Sequence, residues 1–358
     1  MSVSGFSSVF DHVALLGLFV IEKLRQIFLS PAGTFSLASL LSALCIALLY
    51  LHWQRRGHTR PVKARVLLRA VFPRRLWASR SGRADIGFFL FNSFLAGLLF
   101  SWAILSAHVV SRTVNGGLTG GFGALSPTVL PEWLCALILT LAVFLAYELG
   151  YWLDHYLSHR IPFLWEFHKV HHTAESLSPL TNFRVHPVDS LVFVNILALV
   201  MGATGGTMNY LFGKSITSFS LFNVNALVLV FTYLLDHLHH THFWIPFTGV
   251  CGRIFVSPAH HQIHHSTDPR HFNKNMGSCL AIYDWLFGTL QIPSKERERL
   301  TFGVTPEACQ QPDTPKLSDP HTITEGLIAP VGRALAHLVP PGFKGEARPV
   351  VATVEVQR

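Results

Sequence analysis

The chain has 358 residues, of which 50% are hydrophobic and 13% charged, with a formal net charge of +8 and a mean hydropathy of +0.38. Length alone would allow two or three soluble domains, but this composition argues against them and favours one membrane-embedded unit. Nucleic acid is a poor partner for the positive charge, because the main basic run lies between apolar segments.

Apolar segments divide the first two thirds of the chain. Residues 13–21 are too few to span a bilayer and predict an interfacial or re-entrant helix. A signal peptide is not expected there, because basic residues follow this run instead of preceding it. Five longer runs come close to the roughly 20 residues that cross a bilayer. They are residues 34–51, 86–110, 129–153, 191–211 and 215–235, the last softened by Asn223 and Asn225.

The basic residues predict how the chain is oriented in the membrane. Between Gln54 and Asp85 no acid interrupts ten Lys/Arg, which are Arg55, Arg56, Arg60, Lys63, Arg65, Arg69, Arg74, Arg75, Arg80 and Arg83. Positive loops stay cytoplasmic, and counting crossings from loop 53–85 places every histidine cluster on the same, cytoplasmic face. We therefore predict an integral, multi-pass, all-α bundle of about four or five spans with a cytoplasmic histidine-rich helical cap.

Histidines are concentrated after the third run, with 15 of the 21 between His155 and His271. Three clusters have helical spacing: His155-x3-His159, His168-x2-His171-His172 after the breaker Pro162, and His261-x2-His264-His265 after Pro258. Residues three or four apart on a helix share one face, so each cluster can aim its imidazoles at one point. Facing helices in a bundle build metal sites in this way.

A fourth group of histidines, at 237, 239, 240 and 242, ends the last predicted span. It is too crowded for every member to bind metal, and His240 is the preferred ligand. His239 and His242 are interpreted as neighbours of the ligands or interfacial residues. His186 precedes Pro187 at a predicted helix start. Residues that could support or complete the site are His186, His237, Asp154, Asp236 and Asp189.

The histidine set is too large for one ion and fits two. All-nitrogen ligation suits Fe, Zn, Cu or Ni, whereas Mg and Ca prefer oxygen, and the sequence does not separate iron from zinc. The predicted metal ligands are His155, His159, His168, His171, His172, His240, His261, His264 and His265.

With these motifs in place, residues 148–293 resemble the fatty acid hydroxylase/sterol desaturase superfamily of integral-membrane di-iron oxygenases. The resemblance rests on the histidine clusters, on Arg184-x-His186-Pro187, on Asn275-x-Gly277 and on the run Asp284–Thr289. It implies two iron ions, O2 as co-substrate and oxidation of a lipid C–H bond. The lipid could be a fatty acyl chain, an alkylglycerol, an aminolipid or a sterol. Hydroxylation is favoured over desaturation, and Trp285 and Phe287 are interpreted as packing residues, with Gly288 as the turn.

An oxygenase of this kind needs two electrons per turnover, and the sequence offers no carrier for them. The Gly-rich run 115–123 is interpreted as a connector between two spans, and it follows no strand as a dinucleotide site would. None of the five cysteines forms a CxxC pair, so an Fe–S cluster is not expected. A separate reductase, ferredoxin or cytochrome is therefore implied.

Two alternative functions are weighed against the sequence, a metal transporter and a di-zinc hydrolase. A metal transporter would place ionisable residues in mid-span, where this chain has few. A di-zinc hydrolase would need a general base, for which Asp154 is the nearest candidate. The predicted domains are an N-terminal membrane region over 1–130, a di-metal catalytic domain over 131–300, and a loosely structured tail over 301–358 with a short helix near 333–339.

Overall fold

The computed structural model describes residues 3–54, 69, 71–304 and 321–338. These residues are mostly helical, which confirms the predicted all-α class. Much of the predicted basic loop, including Arg55, Arg56, Arg60, Lys63 and Arg65, lies outside the described residues, as do residues 305–320 and 339–358 of the predicted tail.

Four helical segments are long and apolar enough to cross a membrane, and they match four of the five predicted spans. They are α2 (Leu37–Gln54), the composite segment Arg80–Phe122, α7 (Glu132–Arg160) and α9 (Pro187–Phe212). The N-terminal helix α1 (Val3–Leu29) precedes them, and a short helix α3 (Arg75–Ala78) leads into the composite segment. The composite segment consists of α4 (Arg80–Phe91), a π-helical turn Asn92–Ala96, α5 (Gly97–Phe100), a 3-10 turn Ser101–Ala103 and α6 (Ala107–Phe122).

The Gly-rich run 115–123 was predicted to be a connector, and the structure corrects this because residues through Phe122 belong to helix α6. Helix α6 packs along α9, where two glycines permit close backbone approach. A Cβ atom at Gly202 would lie 2.6 Å from the carbonyl oxygen of Ala107, and one at Gly206 would lie 2.4 Å from that of Ser111. These contacts hold the first half of α6, which precedes the Gly-rich run, against α9.

The fifth predicted span, residues 215–235, is also corrected. Its first half holds a two-stranded hairpin, β1 (Ser220–Leu221) and β2 (Val224–Asn225), and its second half begins a shorter apolar helix, Ala226–His239. Asn225 explains the change, because its amide donates to the carbonyl of Thr140 at 3.0 Å and its oxygen caps the helix by accepting from the backbone N–H of Leu227. The shorter helix consists of α10 (Ala226–Phe231), a π-helical turn Thr232–Asp236 and α11 (His237–His239).

Short helices at the end of the spans carry the remaining clusters. Helix α8 (Pro162–His172) has Pro162 at its first position, and α13 (Pro258–His264) is preceded by Ser257, whose side chain accepts from the backbone N–H of His260. A 3-10 turn (Pro179–Phe183) joins α8 to α9. The others are α12 (Gly249–Ile254), a 3-10 turn (Pro269–His271) and α14 (Ile282–Phe287).

The C-terminal region contains a helix longer than predicted. Helix α15 (Ile323–Leu338) begins ten residues before the predicted start at 333 and packs against α8. Glu166 on α8 joins them, because its carboxylate accepts from Arg333 Nε at 2.6 Å and pairs with Lys169 Nζ at 2.5 Å, all three side chains being largely buried. Residues 321–338 therefore form part of the folded body that surrounds the histidines, contrary to the prediction of a loose tail.

Candidate metal centre

The structure brings all nine predicted ligands together in two buried groups. Within each group the candidate ligand atoms lie within 4.8 Å of one another. The five-histidine group consists of His155, His159, His168, His172 and His264. The four-histidine group consists of His171, His240, His261 and His265.

In the five-histidine group three rings are oriented through Nδ1. His155 Nδ1 donates to the carbonyl of Met276 at 2.8 Å, and His264 Nδ1 donates to that of Lys274 at 2.9 Å. His168 Nδ1 lies 3.1 Å from the carboxylate of Asp189. A neutral imidazole carries one N–H, so a proton on Nδ1 leaves the Nε2 lone pair available as a ligand.

The Nε2 atoms of this group are buried without any hydrogen-bond partner, and they belong to His155, His159, His168, His172 and His264. Buried polar atoms in native proteins nearly always have a partner, and leaving one unsatisfied costs about 1–3 kcal/mol. Five such lone pairs in one place fit a bound cation and are otherwise unexplained.

The four-histidine group has a different geometry, in which the Nε2 atoms face one another. His240 Nε2 lies 3.1 Å from that of His171, 2.9 Å from that of His261 and 3.1 Å from that of His265. A proton on His240 Nε2 can be donated to only one of these three nitrogen atoms. At the remaining contacts two lone pairs or two N–H groups face each other, which is unfavourable. A shared cation resolves this conflict, so this group also fits a metal ion.

The two groups adjoin, since the rings of His172 and His265 stack with centroids 4.5 Å apart. Burial and neighbouring imidazoles lower the pKa of six histidines of these groups. The pKa of His264 falls to about 3, and histidines whose pKa falls well below its ordinary value are His171, His172, His240, His261 and His265. These imidazoles are therefore neutral at pH 7, which is the protonation state that binds metal.

Of the residues predicted to support the site, Asp189 contacts a candidate ligand, His168, and two others have structural roles. His186 caps α9, because its Nδ1 accepts from the backbone N–H of Val188 at 3.1 Å, while its Nε2 donates to the carbonyl of Leu327 at 3.0 Å. His237 Nε2 donates to the carbonyl of Thr34 at 2.5 Å. Neither ring joins a histidine group.

The predicted support of His240 by Asp236 is wrong. Asp236 accepts from the amide of Asn182 at 3.2 Å, whereas His240 Nδ1 is buried without a partner. The π-helical turn Thr232–Asp236 breaks the regular helical spacing on which that prediction depended. Asp154 is buried beside His155, and its Oδ1 has no hydrogen-bond partner.

The run Asp284–Thr289 does more than end a helix. Asp284 is buried and accepts from the backbone N–H groups of Met276 and Gly277, both at 2.8 Å. The loop before α14 is thereby held so that the Met276 carbonyl meets His155. Gly288 forms the expected turn with φ 75°, and Phe287 stacks on Trp152 with ring centroids 4.4 Å apart.

Trp285 does not have the predicted packing role, because its side chain is 59% exposed. A second carboxylate holds the same loop. Glu148 accepts from the backbone N–H groups of Cys279 at 2.9 Å and Leu280 at 2.8 Å. Sequence reasoning missed the loop carbonyls because backbone acceptors leave no signal in residue type.

Comparison with known proteins shows which family the segment around the site is similar to. Residues 140–289 match the sequence model of the fatty acid hydroxylase family. The alkylglycerol monooxygenase of Danio rerio is 27% identical over 145 residues, covering 40% of this chain and 27% of that protein. The ornithine lipid hydroxylase OlsE of Rhizobium tropici is 31% identical over 132 residues, covering 37% of this chain and 35% of that protein.

The human alkylglycerol monooxygenase is 26% identical over 148 residues, covering 40% of this chain and 28% of that protein. The matches thus span between 27% and 35% of the length of these relatives. No solved structure matches the chain significantly. The matched segment, residues 140–289, is similar to the fatty acid hydroxylase family and carries all nine histidines of the two groups.

Proposed function

We propose that this protein is a membrane-bound hydroxylase that inserts one oxygen atom from O2 into a C–H bond of a lipid. The observation that carries the proposal is the convergence of nine imidazoles, eight of them from buried residues, into two adjoining groups at the end of membrane-spanning helices. Support also comes from relatives named as an alkylglycerol monooxygenase and an ornithine lipid hydroxylase.

Two iron ions fit the donor set, one held by the five-histidine group and one by the four-histidine group. Bound iron supplies the activation of O2 and the oxidation of carbon. The protein holds the imidazoles neutral by burial, and it orients three of them through Asp189 and the carbonyls of Met276 and Lys274. Two electrons per turnover come from a separate donor, and the histidine groups face the cytoplasm according to the basic-loop prediction.

A membrane-facing cavity offers a path for the lipid. It encloses about 230 Å³ between the composite span and the start of α9. Apolar side chains form most of its lining, among them Ala96, Phe100 and Leu191. Ser190 also lines it and adjoins Asp189, the carboxylate that contacts His168. An apolar chain entering here approaches the histidines from the bilayer and excludes water from them.

The first experiment measures metal content and product together. The full-length protein, expressed with excess iron and purified in detergent, is compared with a His171→Ala/His264→Ala double variant, which removes one candidate ligand from each group. We expect about two irons per chain in the wild type and a loss of both in the variant. His186→Gln is the matched control, because His186 is a buried histidine outside both groups.

Lipid analysis then tests the reaction. Lipids that gain one oxygen in cells with the wild type, and fail to do so with the double variant, support hydroxylation. Loss of two hydrogens instead would assign desaturation. Two zinc ions per chain that persist despite excess iron would favour a hydrolase, with Asp154 as its candidate base. A wild type without stoichiometric metal would overturn the proposal.

A further inference from the structure

A second cavity lies at the end of α2, and none of its lining residues belongs to either histidine group. It encloses about 400 Å³ and is called here the basic cleft. Its lining residues are Tyr50, Leu51, Gln54, Arg69, Pro73, His242, Phe243, Trp244, Lys295 and Arg297.

The wall of the basic cleft is built by hydrogen bonds between three separate parts of the chain. The hydroxyl of Tyr50 donates to the carbonyl of Trp244 and accepts from the amide of Gln54 at 2.7 Å. The indole N–H of Trp244 donates to the carbonyl of Ser294 at 3.1 Å. These bonds hold the end of α2, the segment after His240 and the segment before Lys295 in one arrangement.

The floor of the cleft is apolar. Phe243 packs with Ala47 and Leu238 in a buried cluster, against which Leu51 and Val71 also pack. A packed floor behind a hydrogen-bonded wall makes a concave site that exists before a ligand arrives, and preformed concavities of this kind are typical of small-molecule sites.

The charge of the cleft has one sign. Arg69, Lys295 and Arg297 line it, and among the described residues no Asp or Glu does. Of the nearby acids, Glu298 approaches His271 at 3.8 Å and accepts from Ser294 at 3.5 Å, and Glu296 is exposed. Three cations around one concavity repel one another, so a bound anion would stabilise this arrangement.

The position of the cleft indicates which anions reach it. Helix α2 is a candidate span and Tyr50 and Gln54 lie in its last turns. Trp53 in the same turns is 63% exposed, and exposed tryptophans are typical of the level of the lipid headgroups. Basic pockets at this level bind phosphate headgroups.

We propose that the basic cleft binds a phosphate-class anion, presented by a phospholipid headgroup or as free phosphate. The concave shape favours a phosphate group over the flat surface of an acidic protein. Arg69 and Arg297 can each donate two hydrogen bonds to such a group, and Lys295 adds a point charge. This proposal does not depend on the proposed hydroxylase function, because it concerns a separate cavity.

The test measures binding to the full-length protein in detergent at constant ionic strength. The probes are dihexanoyl phosphatidic acid, dihexanoyl phosphatidylcholine and inorganic pyrophosphate. Thermal shift and titration measure the binding of each probe. We expect phosphatidic acid to bind saturably, and K295Q/R297Q to weaken it by about tenfold or more. R253Q/R299Q is the matched control, since it removes the same charge from exposed side chains that do not line the cleft.

The probes separate the two sources of the anion. Preference for phosphatidic acid over pyrophosphate assigns a headgroup site, and equal binding assigns free phosphate. The proposal fails if neither anion binds the wild type, if phosphatidylcholine binds as well as phosphatidic acid, or if both double variants lose binding equally. It also fails if polyglutamate binds the wild type while the phosphate probes do not, and K295Q/R297Q abolishes that binding. This result would identify a surface for an acidic protein. Competition between pyrophosphate and phosphatidic acid on the wild type gives a further test that needs no variant.

Discussion

The five-histidine group and the four-histidine group draw on shared helices, α8 and α13, but are held in different ways. In the five-histidine group, His155, His168 and His264 are fixed through Nδ1 by two backbone carbonyls and one carboxylate. In the four-histidine group the Nδ1 atoms of His240, His261 and His265 are buried without a hydrogen-bond partner, and the Nε2 atoms contact one another. In the five-histidine group, surrounding carbonyls and a carboxylate orient the rings. In the four-histidine group, the rings are oriented mainly by contacts with one another.

This difference predicts unequal metal affinity. Hydrogen bonds behind a ligating histidine fix its ring and raise its basicity, and losing them typically costs about 10–100-fold in metal affinity. We therefore expect a chelator to remove metal first from the four-histidine group.

The largest effect is expected from a matched pair on helix α13. His261→Ala removes one ligand from the four-histidine group, and His264→Ala, one turn later, removes one from the five-histidine group. Each variant should keep about one iron per chain by elemental analysis, and lipid hydroxylation should fall by at least about a hundredfold because both ions are needed. Loss of both ions in either variant would show that the groups bind metal as one unit.

Acid should destabilise the metal-free protein. Burial lowers the pKa of His264 from its ordinary 6.5 to about 3. Between these values the unfolded chain binds more protons than the folded one, so this stability is present above about pH 6.5 and is lost as pH falls toward 3. The expected loss is about 1 kcal/mol per pH unit for each such histidine. Thermal unfolding of chelator-treated protein from pH 7 to pH 5 measures it, and an unchanged midpoint would contradict the assignment of neutral imidazoles.

A carboxylate substitution tests the orientation of the five-histidine group. Asp189→Asn should weaken metal binding there by about tenfold, because the charge behind His168 is lost, and should leave the four-histidine group unaffected. Asp236→Asn is the matched control, since Asp236 contacts Asn182 and no candidate ligand. Competition with a chelator of known affinity measures both variants. Equal losses would remove the distinction between these two carboxylates.

The smallest effect is expected at a histidine outside both groups. His186→Gln should leave metal content unchanged and cost about 1 kcal/mol of stability, because one helix cap is weakened. Thermal unfolding and elemental analysis on the same preparation measure the two quantities. A drop in bound metal would return His186 to the set of candidate ligands.

The spans and the nine histidines could be predicted because their signals are local. An apolar run of sufficient length predicts a crossing, and spacing of three or four residues predicts a shared helix face. The errors lie where distant segments decide the local structure. The Gly-rich run continues helix α6, whose first half packs on Gly202 and Gly206 of α9, and the span predicted at 215–235 is shortened where Asn225 binds Thr140. Asp236 is displaced from His240 by a π-helical turn that the spacing does not reveal.

The sequence alone predicted which histidines could bind metal, that they follow membrane-spanning helices, and that one ion is too few for them. Their division into two groups depends on the tertiary structure. His171 and His172 are neighbours in the chain but join different groups, since consecutive residues project about 100° apart around a helix. Which partners each ring then meets depends on His240 and His264 arriving from other helices. Backbone carbonyls such as that of Met276 become acceptors for the rings because Asp284 and Glu148 shape their loop, which is a property of packing and not of residue type.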